Sequence, residues 1–399
     1  MFARNRVQSS FNLWSTHLPE LKPYYAVKSN PDPLLLKTLA LYGSGFDCAS
    51  GRELQEVATL GFSKEDMVKR VVYANPCKPV RDLKLAVEMG TPTTVIDSFE
   101  EVDKLSSIGY PGASLIRILV DDKGSLMPFS RKFGIHPTKV KDLSAYAKSK
   151  NLPILGVSFH VGSGCKEKNQ YSSALGISHL CMELIKSQGH TPTTVDIGGG
   201  FLSESSQKGS FVEYAKTIRS AIERDTFTYI AEPGRFFSAS SFDLFVQVIG
   251  KKPMANGNGW RYTIDESLYG QFSCIPFDQK VPFWIRIPQN LDKSDLKPRK
   301  ATKGILFGRT CDSLDMIAKS YSMEELEVGD WLWFPEMGAY SSVTASEFNG
   351  FPKPPVFDVI HSLPSLYDLA PSNLKDRTPL DIQTVSGVSF AQSNIPAVA

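Results

Sequence analysis

Short, near-continuous apolar runs alternate with amphipathic segments over roughly the first 235 residues. YYAVKS, GFDCAS, RVVYAN, TTVID, SLIRILV, LGVSFHVGS, TTVDIGG and TYIAEPG are rich in β-branched and aromatic residues. Turn-forming residues bound them, which predicts strands. Between them, GRELQEVATLG and DSFEEVDKLSSIG are amphipathic, which predicts helices. Strands apolar on both faces belong to a parallel sheet covered on both sides. Eight such units predict a (β/α)8 TIM-like barrel, with a doubly wound sheet as the competing architecture.

After Phe237 the texture changes. FDLFVQVIG, RYTIDESLYG, KGILFGRTC and DWLWFPEMGAYSSVTAS are strand-like, with few helical stretches between them. They predict a mostly β C-terminal domain, a β-barrel or sandwich. The expected organisation is a barrel over 1–240, a β domain over 241–365 and a flexible tail over 366–399. The polar, lysine-rich stretch IPQNLDKSDLKPRK is expected to be a mobile insertion within the second domain.

Charge adds little. Across 399 residues, 44 Lys and Arg face 42 Asp and Glu, and the net charge of +2 offers no argument for a nucleic-acid partner. No run approaches the ~18 apolar residues of a membrane span. The N-terminus has early charge but no apolar core of a secretory signal, and Glu20 follows soon; a mitochondrial presequence stays open. Six cysteines without CxxC pairs fit a reducing compartment, hence a cytoplasmic protein, and no structural metal.

Candidate chemistry gathers at predicted strand ends, where a barrel carries its active site. Strand six runs into His160-Val161-Gly162-Ser163-Gly164. Strand seven runs into Asp196-Ile197-Gly198-Gly199-Gly200, and strand eight into Glu232-Pro233-Gly234-Arg235. The glycines can aim backbone N–H groups at an anion, and Arg235 offers a bidentate phosphate contact. Alone, each is weak: three glycines make a tight turn, and a lone histidine is usually structural. Lys28, at the end of strand one, is either a lysine paired with a strand-end acid such as Asp47, or a Schiff-base lysine for pyridoxal phosphate. That cofactor needs an amine, an anion cradle and an acid for its pyridine nitrogen. Lys28, the glycines with Arg235, and Glu232 answer to those needs. A sugar-phosphate or flavin barrel stays open on the residues alone.

The motifs PYYAVKSN, GFDCAS, YANPCK, GVSFHVGSG, DIGGGF, AEPGR, YGQFSCIPFDQ, GRTCDSLD and GAYSSVTASEFNGF occur in one order over nearly the whole chain to about Ile360. Together they resemble the eukaryotic-type ornithine decarboxylases of the group IV pyridoxal-phosphate decarboxylases, with the alanine-racemase fold. The resemblance implies that Lys28 carries pyridoxal 5'-phosphate, Glu232 pairs with its pyridine nitrogen and His160 stacks on its ring. It implies that Ser163, Gly200, Arg235 and Tyr340 hold the phosphate, with Gly198, Gly199, Pro233 and Gly234 shaping the cradle. Asp47 and Arg117 fall around the lysine and ring. Cys311 is implied as the proton donor after CO2 leaves. Asp278 and Asp312, beside Phe277, are implied to bind the distal ammonium of L-ornithine, giving putrescine and the first step of polyamine biosynthesis.

The resemblance further implies a homodimer with shared active sites, Cys311 and Asp312 acting in the other subunit. It raises antizyme as a partner, because the family contains silent relatives that bind this regulatory protein. Lysine, arginine or diaminopimelate decarboxylation are the competing activities. The chain departs from the family in three places. Only some two dozen residues precede YYAVKSN, where the family has a longer segment. Phe277 replaces a common tyrosine. Arg309 replaces the usual proline before Thr310-Cys311-Asp312, a cation expected to weaken activity.

Overall fold

The computed structural model describes residues 1–203, 211–223, 225–255, 257–287 and 299–359. The expected tail over 366–399 and most of the expected mobile insertion lie outside them. The chain divides into two compact units, residues 4–241 and residues 1–3 with 242–399.

The first unit is a closed parallel barrel. Its strands are β1 (Leu21–Ala26), β2 (Gly45–Cys48), β3 (Val71–Tyr73), β4 (Thr93–Ile96), β5 (Ala113–Arg117), β6 (Ile154–Ser158), β7 (Thr194–Asp196) and β8 (Thr228–Ala231). Each pairs with the next in the chain, and β8 closes onto β1 through Leu21 and Tyr229. The doubly wound alternative is thereby excluded. Serine caps start both helices between β2 and β3 and the helix after β4: Ser50 accepts from Glu53 N, Ser63 from Asp66 N and Ser98 from Glu101 N. These caps satisfy amide groups that have no partner within the helix. Inside the barrel, Tyr24, Val72, Val95, Leu115 and Ile230 form an apolar cluster.

Helix α1 (Arg4–His17) was not foreseen from the sequence. Only Val7 and Trp14 within it are fully buried, and two positions seven residues apart leave too thin a stripe to stand out. Trp14 holds the helix down, ringed by Phe201, Phe211, Phe236 and Phe237. Its indole N–H donates to the Leu21 carbonyl at 2.9 Å.

The second unit is built on one six-stranded sheet of β9 (Leu244–Pro253), β10 (Trp260–Ile264), β11 (Ile285–Ile287), β12 (Ala301–Phe307), β13 (Met316–Glu324) and β14 (Trp331–Phe334). Their order is β11-β14-β9-β10-β12-β13, antiparallel except for β10 beside β12. Leu244, Val246 and Val248 alternate inward and join Ile264, Leu306 and Leu332 in its core, the period-two pattern of a strand with one buried face. Bulges interrupt β9 and β12, which raises local twist and curls a sheet. Phe2 bridges to Phe242 and Asp358 within this unit.

Candidate active site

The barrel's register sets the site. Ala26 lies opposite Asp47, so the residue two beyond Ala26 arrives beside that carboxylate. Lys28 Nζ lies 2.7 Å from Asp47 Oδ2, in a single turn of 3-10 helix that follows β1. Asp47 is 1% exposed, whereas the Lys28 side chain keeps 41% of its surface open. The ammonium therefore has a buried counter-ion, while the side chain that carries it is partly exposed. That is the placement of a reactive amine rather than of a structural pair sealed in a core.

A second row runs across the sheet: Arg117 pairs with Ser158, Ser158 with Asp196, and Asp196 with Ile230. Ser158 Oγ donates to Asp196 Oδ2 at 3.2 Å, and Gly198 N donates to Asp196 Oδ1 at 2.9 Å. Glu232 stands next to Asp196. Burial and the negative Asp196 and Asp47 push its carboxyl well above the usual carboxylate range. Burial lifts Asp196 to about 6 despite its hydrogen bonds. Arg117 is pulled down by burial, against the attraction of Glu232, Asp97, Asp196 and Asp47. Asp196 and Glu232, buried side by side, cannot both ionise freely in a low-dielectric pocket.

His160 follows β6. Its Nδ1 accepts from Gly162 N at 2.9 Å. Burial, Arg117 and Lys28 hold its pKa well below 6.5. The ring is thus neutral, with the proton on Nε2 implied by the accepting Nδ1. Phe129 packs against it at 4.9 Å between ring centres.

The strand-seven glycines meet crowding that only glycine tolerates. Gly198 has φ +64°, and a β-carbon there would lie 2.2 Å from the Phe159 carbonyl oxygen. Gly200 has φ +106°, and a β-carbon would lie 2.8 Å from both the Gly162 oxygen and the Tyr171 hydroxyl. The backbone is free of side chains where the strand-six and strand-seven loops meet. Beside that junction, Arg235 Nη2 donates to Ser163 Oγ at 3.1 Å. Pro233 accepts from Ala26 N at 3.3 Å, and a β-carbon added to Gly234 would lie 3.0 Å from Ser29 Cβ. Strand eight is thus locked onto the turn that carries Lys28.

These residues fit pyridoxal phosphate. Asp47 Oδ1 and Glu232 Oε1 are buried without a hydrogen-bond partner, and buried polar atoms left unmatched ask for a ligand. A protonated pyridine nitrogen suits Glu232 Oε1, an aldehyde suits Lys28, and a phosphate suits the glycine loops with Ser163 and Arg235. Replacing Arg235 by alanine is expected to weaken pyridoxal phosphate binding by about 10- to 100-fold, the worth of one charge-assisted hydrogen bond (~1.5–3 kcal/mol). Equilibrium binding of pyridoxal, which lacks the phosphate, is the comparison: an equal loss for both ligands would remove Arg235 from the phosphate site.

The remaining candidates lie in the second unit. Asp278 is buried at 6% exposure, and Phe277 beside it is 66% exposed. Cys311 is exposed. Asp312 accepts from Leu314 N at 2.9 Å and from the Tyr269 hydroxyl, and these bonds hold its carboxyl below the usual range. Tyr340 has φ +55°, a left-handed conformation uncommon for a tyrosine.

Two titratable groups were given no site role from the sequence. Asp196 was visible as the acid before three glycines, but its partnership with Glu232 was not. Glu53, in the first turn of the helix after β2, accepts from Ala49 N at 2.6 Å. Burial, with Asp47 nearby, lifts it to about 7.

Comparison with known proteins places this geometry. The profile of the pyridoxal-dependent decarboxylases, pyridoxal binding domain, matches residues 4–239. The chain belongs to that family. It is 39% identical over 362 residues to a probable ornithine decarboxylase of Dictyostelium discoideum, covering 86% of this chain and 75% of the relative. It is 38% identical to antizyme inhibitor 2 of Xenopus laevis, covering 85% and 76%. Among solved structures, the arginine decarboxylase of Paramecium bursaria Chlorella virus superposes with a TM-score of 0.81 at 33% identity, covering 88% and 93%.

Proposed function

We propose that this decarboxylase converts L-ornithine to putrescine and CO2, the first step of polyamine biosynthesis. The observation that carries the chemistry is the pairing of Lys28 with Asp47 in the barrel that also holds the unmatched Glu232 oxygen. The resemblance to ornithine decarboxylases supports the substrate. Pyridoxal phosphate, when bound, supplies an aldehyde that captures amines and a ring that takes up the electron pair left when CO2 departs. Lys28 contributes the amine, and Asp47 is the buried carboxylate that holds it in place. Glu232 would hold a positive charge at the ring nitrogen. Neutral His160 would offer a flat face without repelling that charge. Arg235, Ser163 and the strand-seven amides would orient the phosphate. Asp278 and Asp312 would select a terminal ammonium, and Cys311 would return a proton to the α-carbon.

Relatives acting on lysine or arginine share this logic and differ in the reach to the distal charge. A parallel assay of CO2 release from ornithine, lysine, arginine and diaminopimelate tests the choice. Ornithine is expected to lead in kcat/KM by at least about tenfold, since a misplaced charged contact costs upwards of ~1.5 kcal/mol; equal or greater turnover of another substrate would overturn the assignment. A silent antizyme-binding homologue is the weaker reading, because Lys28, Asp47, Arg117, His160, Glu232, Cys311 and Asp312 are all present.

We propose further that the active form is a cytoplasmic homodimer in which Cys311 and Asp312 serve the partner's barrel. Mixing inactive Lys28→Ala and Cys311→Ala proteins should then restore up to about a quarter of wild-type activity, the share of sites with both residues intact under random re-pairing. No recovery under conditions of demonstrated subunit exchange would rule out shared sites.

A further inference from the structure

The eight residues 308–315 join β12 to β13 and carry Cys311 and Asp312. One buried carboxylate fixes this loop from beneath. Asp315 is 1% exposed. Its Oδ1 accepts from Leu268 N at 2.7 Å, its Oδ2 from Thr310 N at 3.0 Å and Thr310 Oγ1 at 2.6 Å, and its carbonyl from Gly308 N at 2.8 Å. Asp312 has the two anchors already described.

The Cys311 end is tied differently. Cys311 N donates to Asn349 Oδ1 at 3.0 Å. Asn349 sits in the left-handed conformation, φ +58°, inside the turn Phe348–Gly350. Arg309 makes the second stitch to the same region. Its Nη2 donates to the Pro352 carbonyl at 3.2 Å, and its guanidinium lies 4.4 Å from the centre of the Phe351 ring. On its other side Arg309 Nη2 is 4.0 Å from Glu266 Oε1, and its backbone N–H donates to the Glu266 carbonyl at 3.1 Å. Glu266 is 3% exposed. Burial raises its carboxyl, and the Ser267 amide and Arg309 oppose that rise.

The cation expected from the sequence to disturb this loop is therefore built into it. A planar guanidinium can stack on a ring, donate in its own plane and face a carboxylate at once; a lysine ammonium can satisfy only part of that set. We propose that Arg309 is a positioning residue that stitches the loop to residues 349–352 and so presents the Cys311 thiol in one place. This rests on the reading of Cys311 as the proton donor.

The test uses the full chain loaded with pyridoxal phosphate, as wild type, Arg309→Lys, Arg309→Ala, Arg309→Ala with Glu266→Gln, and Cys311→Ala. Both single Arg309 variants should lose about tenfold in kcat, the scale of a small misplacement of a reacting group. Their KM for ornithine should stay within about twofold, because Asp312 keeps its own anchors. Alkylation of Cys311 by iodoacetamide, followed by peptide mass spectrometry, should change in rate by at least about threefold, against an unchanged Cys77. Glu266→Gln should restore the melting temperature of Arg309→Ala but not its kcat. Wild-type kcat in Arg309→Lys, or recovery of kcat together with stability in the double variant, would reduce Arg309 to a counter-ion of Glu266. Wild-type kcat in Cys311→Ala would instead overturn the proton-donor reading, while the alkylation rates would still decide whether Arg309 positions the thiol.

Discussion

Replacing Lys28 by alanine should lower decarboxylation by about a thousandfold or more, since the substitution removes the covalent anchor and the amine that returns after each turnover. The purified protein should also lack the visible absorption of a covalently attached cofactor. The alanine substitution alone confounds two roles, because it also strips the buried Asp47 of its cation. Lys28→Arg separates them. Arginine keeps a positive charge beside Asp47, yet it does not lose its proton in a protein and cannot act as an amine nucleophile. The arginine variant should melt close to wild type and remain inactive, whereas the alanine variant should be both inactive and less stable. Turnover in either variant within tenfold of wild type would exclude Lys28 as the anchoring amine.

Replacing Glu232 by glutamine should cost about 10²- to 10³-fold in kcat, the scale of losing one preorganised charge at the reacting system. Glutamine fills the same space and can hydrogen-bond, but it cannot hold a positive ring nitrogen. The cofactor-free protein should respond in the opposite sense. The carboxyl of Glu232 is raised by burial, by Asp196 and by Asp47. Between its ordinary range and that raised value, the folded chain holds a proton that the unfolded chain has released. The stability this gives is complete at acid pH and lost as pH rises through the folded value. Glutamine has nothing to ionise there. Cofactor-free Glu232→Gln should therefore melt higher than cofactor-free wild type near pH 8, with the gap narrowing toward about pH 5. A gap that stayed constant with pH would show that Glu232 does not carry this burden, and unchanged kcat would remove it from the ring nitrogen.

The barrel was legible because strands buried on both faces are continuous apolar runs, and eight of them stand out between amphipathic helices. Lys28, His160, Glu232 and Arg235 were legible for a related reason: each follows a recognisable strand, where a barrel carries its chemistry. Helix α1 was not, because two buried side chains make too faint a stripe. Asp196 and Glu53 were not recognised as titrating groups, because their perturbation depends on neighbours. Asp196 meets Glu232 across 36 positions of chain only when β7 and β8 pair through Asp196 and Ile230. Arg309 was legible only as an oddity, since its meaning lies in Glu266, Phe351 and Pro352.

Residue identity and order determined which elements form, where the functional side chains fall along them and which family the chain joins. Those properties are local or collinear, so periodicity and motif carry them. Tertiary structure decided which acids share one pocket, how their protons are held, and that a cation before Cys311 is anchored by its neighbours. Those properties depend on distance and burial, which arise only when strand register and loop packing bring distant positions within a few ångströms and exclude water from between them.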